Sequence, residues 1–284
     1  MNNLDIKNLD FKNMSQEDID KMNDYLESCT GNCESCGKDC GSQVTPRIAK
    51  ATYALFSGKG GTGKSVVTAL LACALQRRGL SVGIIDADVA SPCIPHMFGV
   101  KGKMDNDGEY FTPYETKCGV RLASMGLTPN ETDDPCILNG KDQSSIASYF
   151  WMGGKWEMPD CILIDMPSGI GDIPLNTYTI LPLDGTFVVT NPGTLCARIA
   201  RKSINLIKML LLPVTGVIEN MSSGEKSSLD ELHDPALNLL AKIPYDPEIA
   251  MAADLGKIDE VRCDAVNAFA DVLAEKIRNM PEKK

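Results

Sequence analysis

Ser57-Gly-Lys-Gly-Gly-Thr-Gly-Lys-Ser65 is the stretch on which the fold turns. From Gly58 to Ser65 it satisfies the pattern G-x-x-x-x-G-K-[ST], and it sits where that pattern has physical meaning. An apolar run, Tyr53 to Ser57, precedes it, and a segment whose apolar residues return every three or four positions, Lys64 to Arg78, follows. Glycines at Gly58, Gly60, Gly61 and Gly63 let the backbone turn several N–H groups inward at a helix N-terminus, whose dipole also favours anions. The stretch therefore predicts a triphosphate cradle. Thr62 is part of its wall, Lys64 reaches the β- and γ-phosphates, and Ser65 ligates Mg2+. Lys59 is a second lysine inside the loop. Its position alone leaves open whether it points to solvent or adds to phosphate neutralisation.

Outward from this loop, apolar strand signals alternate with helical ones. Strands are expected at Tyr53–Ser57, Ser81–Asp86, Val120–Ser124, Cys161–Asp165, Thr186–Thr190, Val214–Glu219 and Leu239–Ile243. The clearest helices are Lys64–Arg78, Leu195–Leu211 and about Val261–Asn279. Alternation of this kind predicts a doubly wound, mainly parallel α/β sheet over residues 51–284. Residues 1–50 read as a cysteine-rich extension and linker, with a short helix opening near Ser15 and carrying Ile19, Met22 and Leu26.

Carboxylates end two of the expected strands, where ligands of an open α/β sheet collect. Asp86 and Asp88 close Ile-Ile-Asp-Ala-Asp, and Asp165 closes Cys-Ile-Leu-Ile-Asp. Asp165 is expected to act on Mg2+ through water, Asp86 to line the nucleotide site, and Asp88 to orient the attacking water. Capping a loop is the competing role for such carboxylates. Gly169, in Asp-Met-Pro-Ser-Gly, is expected to present its N–H to the γ-phosphate and so sense hydrolysis.

The charge balance, 28 Lys and Arg against 38 Asp and Glu for a net of -10, argues against nucleic acid or anionic lipid as a partner. No stretch reaches the ~18 uninterrupted apolar residues of a membrane span. The first residues are acidic and polar rather than basic and then apolar, so a cytoplasmic protein is expected. The 11 cysteines are unevenly placed. Cys29, Cys33, Cys36 and Cys40 form C-x3-C-x2-C-x3-C, with Gly31, Gly37 and Gly41 supplying bends. Four thiolates so close in sequence can converge on one small inorganic centre, and the compact run favours a [4Fe-4S] cluster over Zn2+, whose sites join two pairs across a longer spacer. Zinc, or no metal, stays open. The remaining cysteines, Cys73, Cys93, Cys118, Cys136, Cys161, Cys196 and Cys263, have no ligand-like spacing and read as small core or surface residues. His96 and His233 are isolated.

Taken in order, SGKGGTGKS, DADVASPCIPHMFG, ILIDMPSGIGD, VVTNPG and GVIENMS resemble the Mrp/ApbC branch of the MinD-like ATPases, the iron-sulfur cluster carriers. The likeness runs from about Ala51 to Asp254. The resemblance implies ATP hydrolysis with Mg2+, with Lys59, Lys64, Asp88 and Asp165 as the catalytic set. It also implies a homodimer in which Lys59 crosses to the partner's nucleotide, and delivery of a cluster to a recipient apoprotein or partner metalloenzyme. Asn220 is implied to read the adenine, with Ile243-Pro244 closing over it. Three departures stand out. No Cys-x-x-Cys follows Glu-Asn-Met-Ser, since Ser222 to Asp234 holds no cysteine, and the N-terminal cysteines are positioned to take over the metal role. Asp-Met-Pro-Ser-Gly replaces Asp-Leu-Pro-Pro-Gly, and Leu138-Asn139-Gly140 replaces Trp-Arg-Gly. Two related activities compete with the carrier reading: ATP-gated electron donation resembling the nitrogenase iron protein, and a MinD-like or metal-insertion ATPase.

Overall fold

The computed structural model describes residues 45–107, 110–128, 140–169, 174, 178, 181–224 and 238–281. The expected N-terminal helix and Cys29, Cys33, Cys36 and Cys40 lie outside the described residues.

In chain order the elements are β1 (Ala51–Phe56), α1 (Lys64–Gln76), β2 (Val82–Asp86), α2 (Ile94–Met97), β3 (Asp105–Asn106), β4 (Phe111–Thr112), β5 (Tyr114–Glu115), β6 (Arg121–Ala123), α3 (Gly140–Met152), β7 (Cys161–Asp165), β8 (Gly185–Thr190), α4 (Thr194–Met209), β9 (Val214–Ser222), β10 (Leu239–Pro244), α5 (Pro247–Asp254) and α6 (Asp264–Arg278). One sheet has the order β10-β9-β8-β1-β7-β2-β6-β5. Every pairing in it is parallel except that of β5 with β6. The seven expected strands are all present. All are parallel, and β1, β2, β7 and β8 are buried along their whole length, which explains their unbroken apolar runs.

Helices cover both faces. On one side Tyr53 stacks on Phe187 with ring centroids 4.9 Å apart, and Phe269 of α6 meets Phe187 edge-on at 5.3 Å. Phe56, three residues beyond Tyr53, points to the other side and meets Tyr178 at 5.7 Å. Close packing shows at Gly83, where a Cβ would stand 2.6 Å from Trp156 Cζ3. Only hydrogen fits there.

The interval between β2 and β6 departs from a simple strand–helix alternation. Helix α2 has 4 residues, and the chain then forms the antiparallel β3–β4 pair and the β5 edge. Short polar stretches such as Asp105–Asn106 carry too few apolar residues for a periodicity to be seen. Among the described residues no helix is long and apolar enough to cross a membrane.

Candidate functional site

The strand order places β1 between β7 and β8, and β2 beyond β7, so the carboxyl ends of β1, β2 and β7 open on one crevice. Register then does the rest. Asp86 pairs across from Asp165, and Leu55 pairs with Asp165 on the other side, so both acids stand beside the loop that leaves β1.

The loop from Ser57 to Gly63 takes the form its glycines permit. Gly61 and Gly63 have φ of 78° and 76°, in the left-handed region. Gly63 is the N-cap of α1, and Thr62 Oγ1 donates to Ser57 Oγ at 3.0 Å across the loop. Two asparagines hold the loop from the sheet side. Asn220 Nδ2 donates to the Thr62 carbonyl at 2.8 Å, and Asn191 Nδ2 donates to the same carbonyl at 3.3 Å and to the Asn220 carbonyl at 3.1 Å. From the other side α4 presses on Gly58, where a Cβ would meet Ser203 Oγ at 2.3 Å.

At the floor Asp165 is fully buried and gathers donors from the first two turns of α1. Lys64 Nζ donates to Asp165 Oδ2 at 2.7 Å, Ser65 Oγ to the same oxygen at 2.6 Å, and Thr68 Oγ1 to Oδ1 at 2.7 Å. Each carboxylate oxygen is thus satisfied, which offsets the cost of burying the charge. Asp86 is 1% exposed and accepts from Ser124 Oγ at 3.0 Å and from the Asp88 N–H at 3.3 Å. Burial, and then the neighbouring Asp165, push its carboxyl well above the ordinary carboxylate range, against the pull of Lys64 and the Ser124 bond. Burial also raises Asp88, with Lys64 opposing.

Of the residues expected from sequence, Lys64, Ser65, Asp86, Asp88 and Asp165 therefore come together. Lys59 is half-buried on the rim and its ammonium has no hydrogen-bond or ion-pair partner among the described residues. Asn220 is a buried residue of β9, and its amide lies on the loop itself rather than in a turn. Pro244, exposed at the end of β10, pairs with Ser222, so it stands beside the end of the strand that carries Asn220. Gly169 differs from its expected geometry. Its N–H donates to the Ser57 carbonyl at 2.9 Å, so this conformation spends that donor on the loop and does not present it to a phosphate. The backbone there has φ 101°, a region suited to glycine.

Four participants escaped the sequence reading. Thr68 sits one helical turn after Lys64, a spacing that could have marked it. Ser124 and Asn191 carried no such signal, because only the strand order brings them to Asp86 and to Thr62. Cys93 lies beside the site: burial, followed by the charge of Asp86, raises its thiol to about 11, with the Ser65 hydroxyl opposing. His96 Nε2 lies 2.9 Å from the Asp254 carbonyl, tying α2 to α5.

A glycine loop between a parallel strand and a helix, with its lysine and serine on a buried aspartate, defines a nucleotide-binding P-loop domain of the MinD and ParA fold class. The family model described as the NUBPL iron-transfer P-loop NTPase, of the ParA group, matches residues 48–278, and the chain belongs to this family. An iron-sulfur cluster carrier protein of Clostridium perfringens is 32% identical over 80% of this chain and 90% of its own length. One from Methanococcus maripaludis is 33% identical over 87% of this chain and 96% of its own. A nucleotide-binding protein from Archaeoglobus fulgidus, solved in complex with ADP, superposes with a TM-score of 0.63 at 31% identity, covering 75% of this chain and 89% of that one.

Proposed function

We propose that this chain is a Mg2+-dependent ATPase that carries an iron-sulfur cluster to a recipient apoprotein, with two copies closing over the nucleotide in the turnover cycle. The observation that carries the hydrolytic part is the convergence of Lys64, Ser65 and Thr68 on Asp165 beside the loop. Ser65 Oγ and Asp165 Oδ2 offer the hard oxygen donors that Mg2+ prefers, and Lys64 and the loop N–H groups suit a triphosphate. Bound there, Mg2+ would neutralise charge on the β- and γ-phosphates. Asp88, at the mouth of the crevice, holds the attacking water, and burial raises its pKa, which makes its carboxylate a stronger proton acceptor than a free one.

Conformational coupling follows from the same contacts. Lys59 reaches out of the rim toward a second copy's nucleotide. Gly169 changes its N–H from the Ser57 carbonyl to the γ-phosphate when the triphosphate is present, and Asn220 keeps one N–H on Thr62 while offering the rest of its amide to the adenine. Pro244 covers the base from β10.

The carrier part is supported by family membership and by Cys29, Cys33, Cys36 and Cys40, which would hold a [4Fe-4S] cluster as cargo. Six described cysteines are free, which suits a reducing cytoplasm. Anaerobic reconstitution with iron and sulfide tests the reading. The wild-type chain is expected to take up both and to pass them to an apoprotein faster with ATP, while replacing the four cysteines by serine removes uptake and leaves ATP turnover in place. Absence of uptake by the wild type overturns it, and a cluster that only cycles its redox state with ATP assigns electron delivery instead.

A further inference from the structure

The turn between β5 and β6 rests on the far end of the P-loop helix and brings two thiols together. Thr116 N–H donates to the Val120 carbonyl and Gly119 N–H to the Thr116 carbonyl, each at 2.9 Å, and Val120 N–H donates to Thr116 Oγ1 at 3.1 Å. Gly119 has φ 85°, and a Cβ there would come within 2.6 Å of Gln76 Nε2, so the tip of the turn lies against the last turn of α1. Cys73 precedes Gln76 by about one helical turn and therefore shares its face.

Its neighbour across that contact is Cys118. Cys73 is 1% exposed, whereas Cys118 is part-exposed, with Thr116 Oγ1 at 3.3 Å from its sulfur. Each thiol acts on the other's ionisation across this contact. The Cys73 thiol, with the Thr116 hydroxyl assisting and burial opposing, lowers Cys118 to about 6, and Cys118 together with burial raises Cys73 far above a free thiol. The charge of Arg77, which caps the C-terminus of α1, and that of Asp259, in the segment before α6, also act on these thiols.

We propose that Cys118 and Cys73 form a thiol redox site, in which a hydroperoxide oxidises Cys118 and Cys73 closes a disulfide between α1 and the β5–β6 turn. The partly exposed sulfur attacks the peroxide: an S–O bond forms, the O–O bond breaks, and the departing alkoxide or hydroxide takes a proton. Cys73 then attacks the sulfenic sulfur, its own proton leaves with the hydroxide as water, and two electrons in all have passed from the sulfurs to the peroxide. Thiols on two elements that already pack together need little backbone movement to reach disulfide geometry. The site lies about 13 Å along α1 from Lys64, so it stands apart from the nucleotide crevice.

The test is made on the reduced full-length chain without added metal or nucleotide. Hydrogen peroxide is added, free thiols are blocked with N-ethylmaleimide, and cysteine peptides are assigned by mass spectrometry. A Cys73–Cys118 cross-link is expected, reversed by dithiothreitol and absent in Cys118→Ser. In Cys73→Ser the sulfenic acid has no resolving partner nearby, so dimedone is expected to label Cys118. With iodoacetamide at pH 7, Cys118 is expected to react at least about tenfold faster than Cys93. Peroxide-treated wild type lacking the cross-link, together with Cys73→Ser lacking a dimedone adduct on Cys118, overturns the proposal. Neither result bears on cluster uptake by Cys29 to Cys40.

Discussion

Lys64 Nζ lies 2.7 Å from Asp165 Oδ2, in a pair whose side chains are 5% and 0% exposed. The two residues are 101 positions apart in the chain, one opening α1 and the other closing β7. Their contact fixes the P-loop lysine against the strand whose carboxylate is proposed to face Mg2+, so the positive charge is in place before a phosphate arrives.

Lys64→Met is expected to lower ATP turnover at least about a hundredfold, because it removes the cation that meets the phosphates. It also leaves Asp165 buried with only the Ser65 and Thr68 hydroxyls as donors, which is expected to cost about 3 kcal/mol of stability in urea unfolding. Adding Asp165→Asn to this variant is expected to restore much of that stability and none of the turnover.

Lys59→Ala should separate assembly from folding. The ammonium has no partner among the described residues, so stability is expected to change by no more than about 0.5 kcal/mol. Size-exclusion chromatography with a slowly hydrolysed ATP analogue is expected to show a dimer for the wild type and a monomer for the variant. A variant that dimerises normally removes Lys59 from the interface.

Asp86 predicts a pH dependence of stability. Its folded-state pKa is raised by burial and by Asp165, so between the unfolded carboxylate value near 4 and the raised folded value the native state binds more protons than the unfolded state. Stability from this group is therefore lost as pH rises through that window. Asp86→Asn is expected to flatten the fall in melting temperature between pH 5 and pH 8, and to gain most, relative to wild type, at pH 8 without nucleotide.

Asn220→Ala distinguishes two roles of one amide. If Asn220 reads the adenine as well as holding Thr62, KM for ATP is expected to rise about tenfold while KM for GTP changes little, a difference near 1.4 kcal/mol. An equal rise for both nucleotides assigns it to pinning the loop alone.

The elements that were legible in the sequence are those whose signals are local. Residues 58–65 carry their own backbone requirements, and the runs at Tyr53, Ile84 and Ile162 are apolar because each strand is buried on both faces. Strand ends were less exact: β1 begins at Ala51 and β9 continues to Ser222, since the sheet neighbours decide where pairing stops. Helices α3 and α5 were not marked by the sequence reading. Helix α5 is only 8 residues long, and its start is set by Asp246, whose side chain accepts from the Glu248 N–H at 2.9 Å.

By itself, then, the sequence determined that this is a parallel α/β protein with a phosphate loop and acids at two strand ends, because glycine pattern and apolar periodicity act over a few residues. Only the tertiary structure decided that Thr68 completes Asp165, that Ser124 bonds Asp86, that Cys93 lies beside the site, and that Asn191 and Asn220 share the Thr62 carbonyl. Those contacts depend on β7 lying between β1 and β2 and on the register that sets Asp86 across from Asp165. Strand order is fixed by how all the layers bury their apolar faces together, and no window of neighbouring residues contains it.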